Sequence, residues 1–123
     1  MGLRVPDDVI MLLSDDNWGD VRRLPDAKGR KRSGGWGMYY HVDYVGAPRN
    51  SKWLNVTPIQ NMWEQLQLTY SYGVDKLWIL NVGDLKPMEY PITLFYEYGL
   101  ESGTLCGRES VGAYTGVLCA TVR

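Results

Sequence analysis

Carboxylates, amides and aromatic rings gather at three places in this chain, each just past a run of strand-forming residues. Asp15, Asp16, Asn17 and Trp18 follow the apolar run 9–13. His41, Asp43 and Tyr44 close a second, Tyr- and Val-rich run, with Arg49 and Asn50 soon after. Asn81, Asp84, Lys86 and Glu89 follow a third. Glycoside hydrolysis commonly needs one carboxylic acid to protonate the leaving oxygen and a second carboxylate to activate water or attack carbon. Amide side chains can bond sugar hydroxyls, and Trp or Tyr offers a flat apolar face with a polar tip. Asp15, Asp16 and Asp43 are therefore candidate catalytic groups. Asn17, Trp18, His41, Tyr44, Arg49, Asn81, Asp84 and Lys86 are candidate substrate-binding groups. A second reading stands beside this one, since Asp and Asn also follow strands as turn and cap residues.

Other chemistries find less support. His41 is the only histidine, which limits triads and transition-metal sites, and a lone His in a Tyr-rich strand is commonly a packed residue. Cys106 and Cys119 make neither a disulfide framework nor, without a second His, a zinc site. No metal is expected. Gly34-Gly35-Trp36-Gly37 precedes a strand and has the wrong spacing for a dinucleotide loop. There is no phosphate loop and no Gly-x-Ser-x-Gly elbow. A formal net charge of −1 gives no electrostatic reason to expect nucleic acid or an anionic membrane, and the basic run 28–32 reads as a solvated face. No apolar stretch approaches the roughly 20 residues of a membrane span, and Pro6, Asp7 and Asp8 fall where a secretory signal would be apolar.

The elements that would position these groups are strands and helices in alternation. The unbroken run 9–13 predicts a strand buried on both faces. A short helix is expected over 25–32, weakened by Gly29. A second strand is expected over 37–45 and a third over 76–82. Between them Thr57 can cap a helix that Pro58 opens, with Ile59, Met62, Trp63, Leu66 and Tyr70 on its apolar face and Gly73 as its stop. Pro91 opens another helix to about residue 98. Such alternation gives a parallel α/β sheet with ligands at the carboxyl ends of the strands. Two architectures fit, an open doubly wound sheet or an arc of a (β/α)8 barrel. From residue 100 onward the helical period is lost, and 111–122 reads as one strand or a hairpin.

Several stretches stand in order along the chain. They are Val5-Pro6-Asp7-Asp8-Val9, Ser14-Asp15-Asp16-Asn17-Trp18-Gly19, Arg22-Arg23-Leu24-Pro25 and Arg30-Lys31-Arg32-Ser33-Gly34-Gly35. They continue with Tyr39-Tyr40-His41-Val42-Asp43-Tyr44-Val45-Gly46, Pro48-Arg49-Asn50, Trp63-Glu64-Gln65 and Asn81-Val82-Gly83-Asp84-Leu85-Lys86-Pro87-Met88-Glu89. Together they resemble glycoside hydrolase family 115, the xylan α-glucuronidases, a resemblance that covers about residues 4–98. It implies an α/β chain forming an incomplete (β/α)8 barrel, about three parallel βα units over 1–99 plus an irregular C-terminal tail over 100–123. It also implies an inverting general acid/base enzyme that removes glucuronic or 4-O-methylglucuronic acid from glucuronoxylan. No organic cofactor is expected. Xylan oligosaccharides would be the partners, a homodimer is allowed for the full-length enzyme, and the family is usually secreted or periplasmic. Arg22, Arg23, Arg49 and Lys86 are candidates to pair with the uronate. Because a closed barrel takes about 250 residues, the chain is expected to be poorly soluble and inactive by itself. The competing expectations are a non-enzymatic carbohydrate-binding β-sandwich using Trp18, Trp36 and Trp53 as platforms, and a small doubly wound α/β domain.

Overall fold

The structure, a computed structural model, describes residues 4–104, 111–114 and 117–120. Strands β1 (Met11–Ser14), β2 (Trp36–His41) and β3 (Leu77–Asn81) alternate with helices α1 (Ile59–Ser71) and α2 (Glu89–Thr104), and strands β4 (Val111–Tyr114) and β5 (Val117–Ala120) follow. They form one sheet in the order β1-β2-β3-β5-β4. The first three strands are parallel, with Leu13 opposite Met38 and Met38 opposite Trp78. Strand β5 runs antiparallel to β3, with Asn81 opposite Val117, and β4 pairs antiparallel with β5. The tail was expected to be irregular, with one strand or a hairpin over 111–122; β4 and β5 join the sheet as an antiparallel pair, and α2 runs across the boundary expected at residue 99. Cys106 lies outside the described residues, and any pairing with Cys119 does too.

The core lies on one face of the sheet. Met38, Tyr40 and Val42 from β2 and its extension meet Trp78, Leu80 and Val82 from β3, because residues of like parity share a face. Met62 and Leu66 from α1 and Phe95 from α2 complete the same cluster. Among the described residues, both helices thus cover this single face, whereas a doubly wound sheet is covered on both. The parallel α/β arrangement also removes the β-sandwich reading, and Trp36 is half-buried with its indole N–H donated to the Gly29 carbonyl at 2.9 Å.

Several boundaries differ from expectation for local reasons. Strand β1 lies at the sheet edge, so Leu13 packs on the core while Leu12, facing the other way, stays 47% exposed. The helix expected over 25–32 is a single 3-10 turn, Gly29–Lys31, because the Asp26 carboxylate takes the Gly29 N–H at 2.6 Å. Thr57 does not cap α1. Its hydroxyl donates instead to the Val42 carbonyl at 3.2 Å, which pins the helix start to the end of β2. Trp63 lies at the flank of α1 and is 47% exposed, while Thr69 takes a buried place on the inner face.

Helix α1 does stop at Gly73. With φ +79 there, Val74 N–H reaches the Thr69 carbonyl and Gly73 N–H the Tyr70 carbonyl, a double C-terminal closure that favours glycine. Gly37 is needed for a different reason: a Cβ there would sit 2.7 Å from the Leu77 carbonyl oxygen across the β2–β3 ladder. Gly37→Ala should lower unfolding stability by about 1–3 kcal/mol through this overpacking, and Gly73→Ala by only about 1 kcal/mol through backbone strain. Urea unfolding checks the ranking, and an equal or smaller loss at Gly37 would contradict it.

Candidate functional site

The three parallel strands end at one rim. Asp15, one residue past β1, extends the pairing through its N–H to the Tyr39 carbonyl. His41 ends β2 and lies in register with Asn81, the last residue of β3. The structure therefore brings Asp15, His41 and Asn81 side by side, as parallel strands starting in register must do.

Asp15 is at the centre of this rim, and its side chain is 0% exposed. One oxygen, Oδ1, lies 2.5 Å from His41 Nδ1. The other, Oδ2, accepts the Tyr44 hydroxyl at 2.7 Å and the His41 backbone N–H at 3.4 Å. Tyr44 stacks on the imidazole with centroids 5.8 Å apart, and Tyr39 approaches it edge-on at 4.4 Å. The Tyr39 hydroxyl in turn accepts the Asn81 amide at 2.7 Å. Burial, then the hydrogen bond to Asp15 and its negative charge, push the Tyr44 phenol well above the ordinary range. Burial and the nearby carboxylates of Asp15, Asp20 and Asp16 do the same to Tyr40. Both phenols thus remain protonated donors throughout the working pH range.

Asn17, Trp18 and their neighbours form the loop between β1 and the 3-10 turn, and α1 holds it. The Tyr40 hydroxyl and the Asn61 amide both donate to the Gly19 carbonyl, at 3.0 and 3.4 Å. Gln65 accepts the Val21 N–H at 2.9 Å. From the same loop the Asn17 amide crosses to the Ala47 carbonyl at 3.0 Å, joining the loops after β1 and β2. Residues 44–51 close on themselves through Ser51, which is bonded to Tyr44 in both directions.

Two clefts open on this assembly. The larger, about 340 Å³, has Trp18, His41, Tyr44, Arg49, Lys52 and Asn61 among its walls, with Leu54 and Val56 adding an apolar side. The smaller, about 250 Å³, is lined by Asn17, His41, Asp43, Tyr44 and Asn81, with Val45 and Ala47. His41, Tyr44 and Asn17 border both. An apolar wall beside amides and two cations offers a ligand hydrogen bonds, positive charge and an apolar face. Among the described residues no group of three or more His, Cys, Asp or Glu is placed to hold a metal ion.

The other candidates lie elsewhere. Asp16 serves its own loop: it accepts the Trp18 and Asp20 N–H groups at 2.8 and 3.1 Å and pairs with Arg22 Nε at 2.5 Å. Burial by itself would raise its pKa, but the Arg22 contact and the two backbone bonds outweigh this and hold the carboxyl below its ordinary 3.8. Arg22 is correspondingly raised by Asp16. Asp84 and Lys86 are exposed and border neither cleft, and Lys86 pairs with Glu89 at 3.2 Å. Of the four cations considered for a uronate, Arg22 and Lys86 are thus already paired, Arg23 borders neither cleft, and Arg49 is at the larger one. Tyr39, Tyr40, Lys52 and Asn61 were absent from the sequence-derived site. Asn61 was legible only as a polar position of a helix, and nothing in the sequence placed Lys52 at a cleft.

Comparisons with known proteins identify the family. The profile of glycosyl hydrolase family 115 matches residues 1–121, so it continues past the stretches that carry the resemblance. Among solved structures, one described as "a novel family GH115 4-O-methyl-alpha-glucuronidase, BtGH115A, with specificity for decorated arabinogalactans" is 44% identical, with a TM-score of 0.77. The match covers 86% of this chain and 14% of that one. No curated protein matches. The chain belongs to glycosyl hydrolase family 115.

The depressed Asp16 pKa has a definite sign. A carboxylate whose folded pKa lies below its unfolded value stabilises the loop at every pH above the unfolded value, and loses that effect as acid carries the pH down through the folded one. In a carboxyl 13C titration Asp16 should therefore protonate below 3.8, with loop 15–22 loosening over the same range. A midpoint at or above that value would contradict the latch.

Proposed function

We propose that this chain forms the sugar-acid-binding part of an α-glucuronidase site, acting on glucuronic or 4-O-methylglucuronic acid side chains. The observation that carries the reading is the cleft where Arg49 and Lys52 stand beside Trp18, His41, Tyr44 and Asn61. A uronate offers hydroxyls for the amide, phenol and imidazole groups, a ring face for Trp18, which is 67% exposed, and a carboxylate for Arg49. The apolar side made by Leu54 and Val56 would receive a 4-O-methyl group. Family membership and the glucuronidase activity in the description of BtGH115A support the same reading.

The proposal extends to mechanism. Inverting hydrolysis uses an acid and a base roughly 6.5–9.5 Å apart with a water between. Among the described residues no carboxylate borders the larger cleft, and Asp43 alone borders the smaller one. In this proposal Asp43 is one of the pair, and the second carboxylate is not among the described residues. The chain then binds without turning over. Glucuronoxylan remains the proposed polymer, with an incomplete (β/α)8 barrel as its setting. Decorated arabinogalactan, the printed specificity of BtGH115A, is the competing polymer.

Calorimetry on the 123-residue chain tests this. Glucuronic acid should bind, and Arg49→Ala should weaken it about fivefold, a loss of about 1 kcal/mol for an exposed charge pair. Glucose binding should be unaffected by the same change. Equal weakening for both sugars, or none for either, would remove Arg49 from the site. Oligosaccharides of 4-O-methylglucuronoxylan should bind more tightly than those of arabinogalactan, and neither should release uronic acid. Release by the purified chain would overturn the division of carboxylates.

A further inference from the structure

Asp15 was a candidate catalytic carboxylate, yet its side chain is wholly enclosed and both oxygens are engaged. A group so placed touches no substrate. What it does touch is His41, whose ring is 24% exposed and borders both clefts. We propose that Asp15 is a positioning residue that fixes the proton of His41 on Nδ1 and leaves Nε2 as the free acceptor of a ring that borders both clefts.

The argument is geometric. An ionised carboxylate is an acceptor only, so the 2.5 Å contact between Oδ1 and Nδ1 requires the imidazole proton to lie on Nδ1. The neutral ring then has a bare Nε2, because the hydrogen bond made by one ring nitrogen sets the state of the other. Nε2 has no hydrogen-bond partner among the described residues. Three contacts hold the ring in place: Tyr44 stacked on one side, Tyr39 against it edge-on, and Nδ1 bonded to Asp15 Oδ1. Tyr44 has a second part. Its hydroxyl donates to Oδ2, so the second carboxylate oxygen is an acceptor as well.

A bare imidazole nitrogen at a cleft accepts from a hydroxyl. This further step, which names the donor as a hydroxyl of the sugar acid, rests on the glucuronidase reading. The remainder does not. The carboxylate-to-amide replacement of a buried Asp that orients a catalytic His is known in serine proteases to leave geometry intact and select the wrong tautomer, so the two roles of Asp15, tautomer control and simple space-filling, can be separated.

The test is 15N NMR of the imidazole in the uniformly labelled 123-residue chain, where His41 gives the only histidine signals. In alkaline solution Nδ1 should carry the proton and Nε2 should be bare. A protonated Nε2 under those conditions, in the other tautomer or as imidazolium, overturns the proposal. In Asp15→Asn the preference should reverse, the amide donating to Nδ1 and the proton moving to Nε2. An unchanged tautomer in folded Asp15→Asn also overturns it. If Asp15→Asn does not fold, Tyr44→Phe decides together with the parent chain. It keeps the carboxylate and should keep the Nδ1–H tautomer, whereas a reversal would assign the control to Tyr44 and count against Asp15. Addition of glucuronic acid should shift Nε2. A correct tautomer without that shift supports the positioning role and counts against the glucuronate reading.

Discussion

A buried carboxylate costs several kcal/mol unless charge-assisted bonds compensate for its lost water, and Asp15 is such a group. Its compensation comes from one segment, 41–44, through an imidazole, a backbone N–H and a phenol. The constraint runs both ways. Strand β1 must stop where Asp15 can reach β2, and β2 must turn after His41 so that Tyr44 folds back over the ring. The ordering of the two loops follows from this, since Asn17 and Ala47 meet only when both leave the sheet together.

The same contact explains why the clefts have walls that hold their shape. Trp18 follows Asp15 by three residues and is carried on a loop latched by Asp16 and bonded to α1 through Gly19 and Val21. Arg49 and Lys52 follow Tyr44 on a loop closed by Ser51. Recognition groups on loops are thus referred to a rigid sheet and helix through a few buried polar bonds, the arrangement that pre-organised binding requires.

Much of this was written in the sequence in the form of periodicity. The α1 pattern and its Gly73 stop, the three parallel strands, and the polar residues at their ends could be read because burial imposes a repeat on residue types. The tail could not. Pairing of β5 with β3 is a long-range event, and the sequence 111–120 has no local signal naming its partner. Roles within the site were hidden for a related reason. Asp15 and Asp16 are adjacent and chemically alike, yet one is sealed against His41 and the other latches Arg22, because successive residues leave a strand in opposite directions. Sequence gives the carboxylate, whereas its direction decides between catalyst, latch and positioner. Lys86 shows the converse: its place after a strand suggested a site, but the nearby Glu89 at the start of α2 takes its charge.

The most direct test of the account is a set of nuclear Overhauser contacts in the folded chain around its single imidazole. The account predicts cross-peaks from His41 ring protons to the rings of both Tyr39 and Tyr44, together with contacts from the Asn81 side-chain amide to the Tyr39 ring. A His41 ring with contacts to neither tyrosine ring, and an Asn81 amide remote from Tyr39, would show that the strand ends do not share a rim and would contradict it.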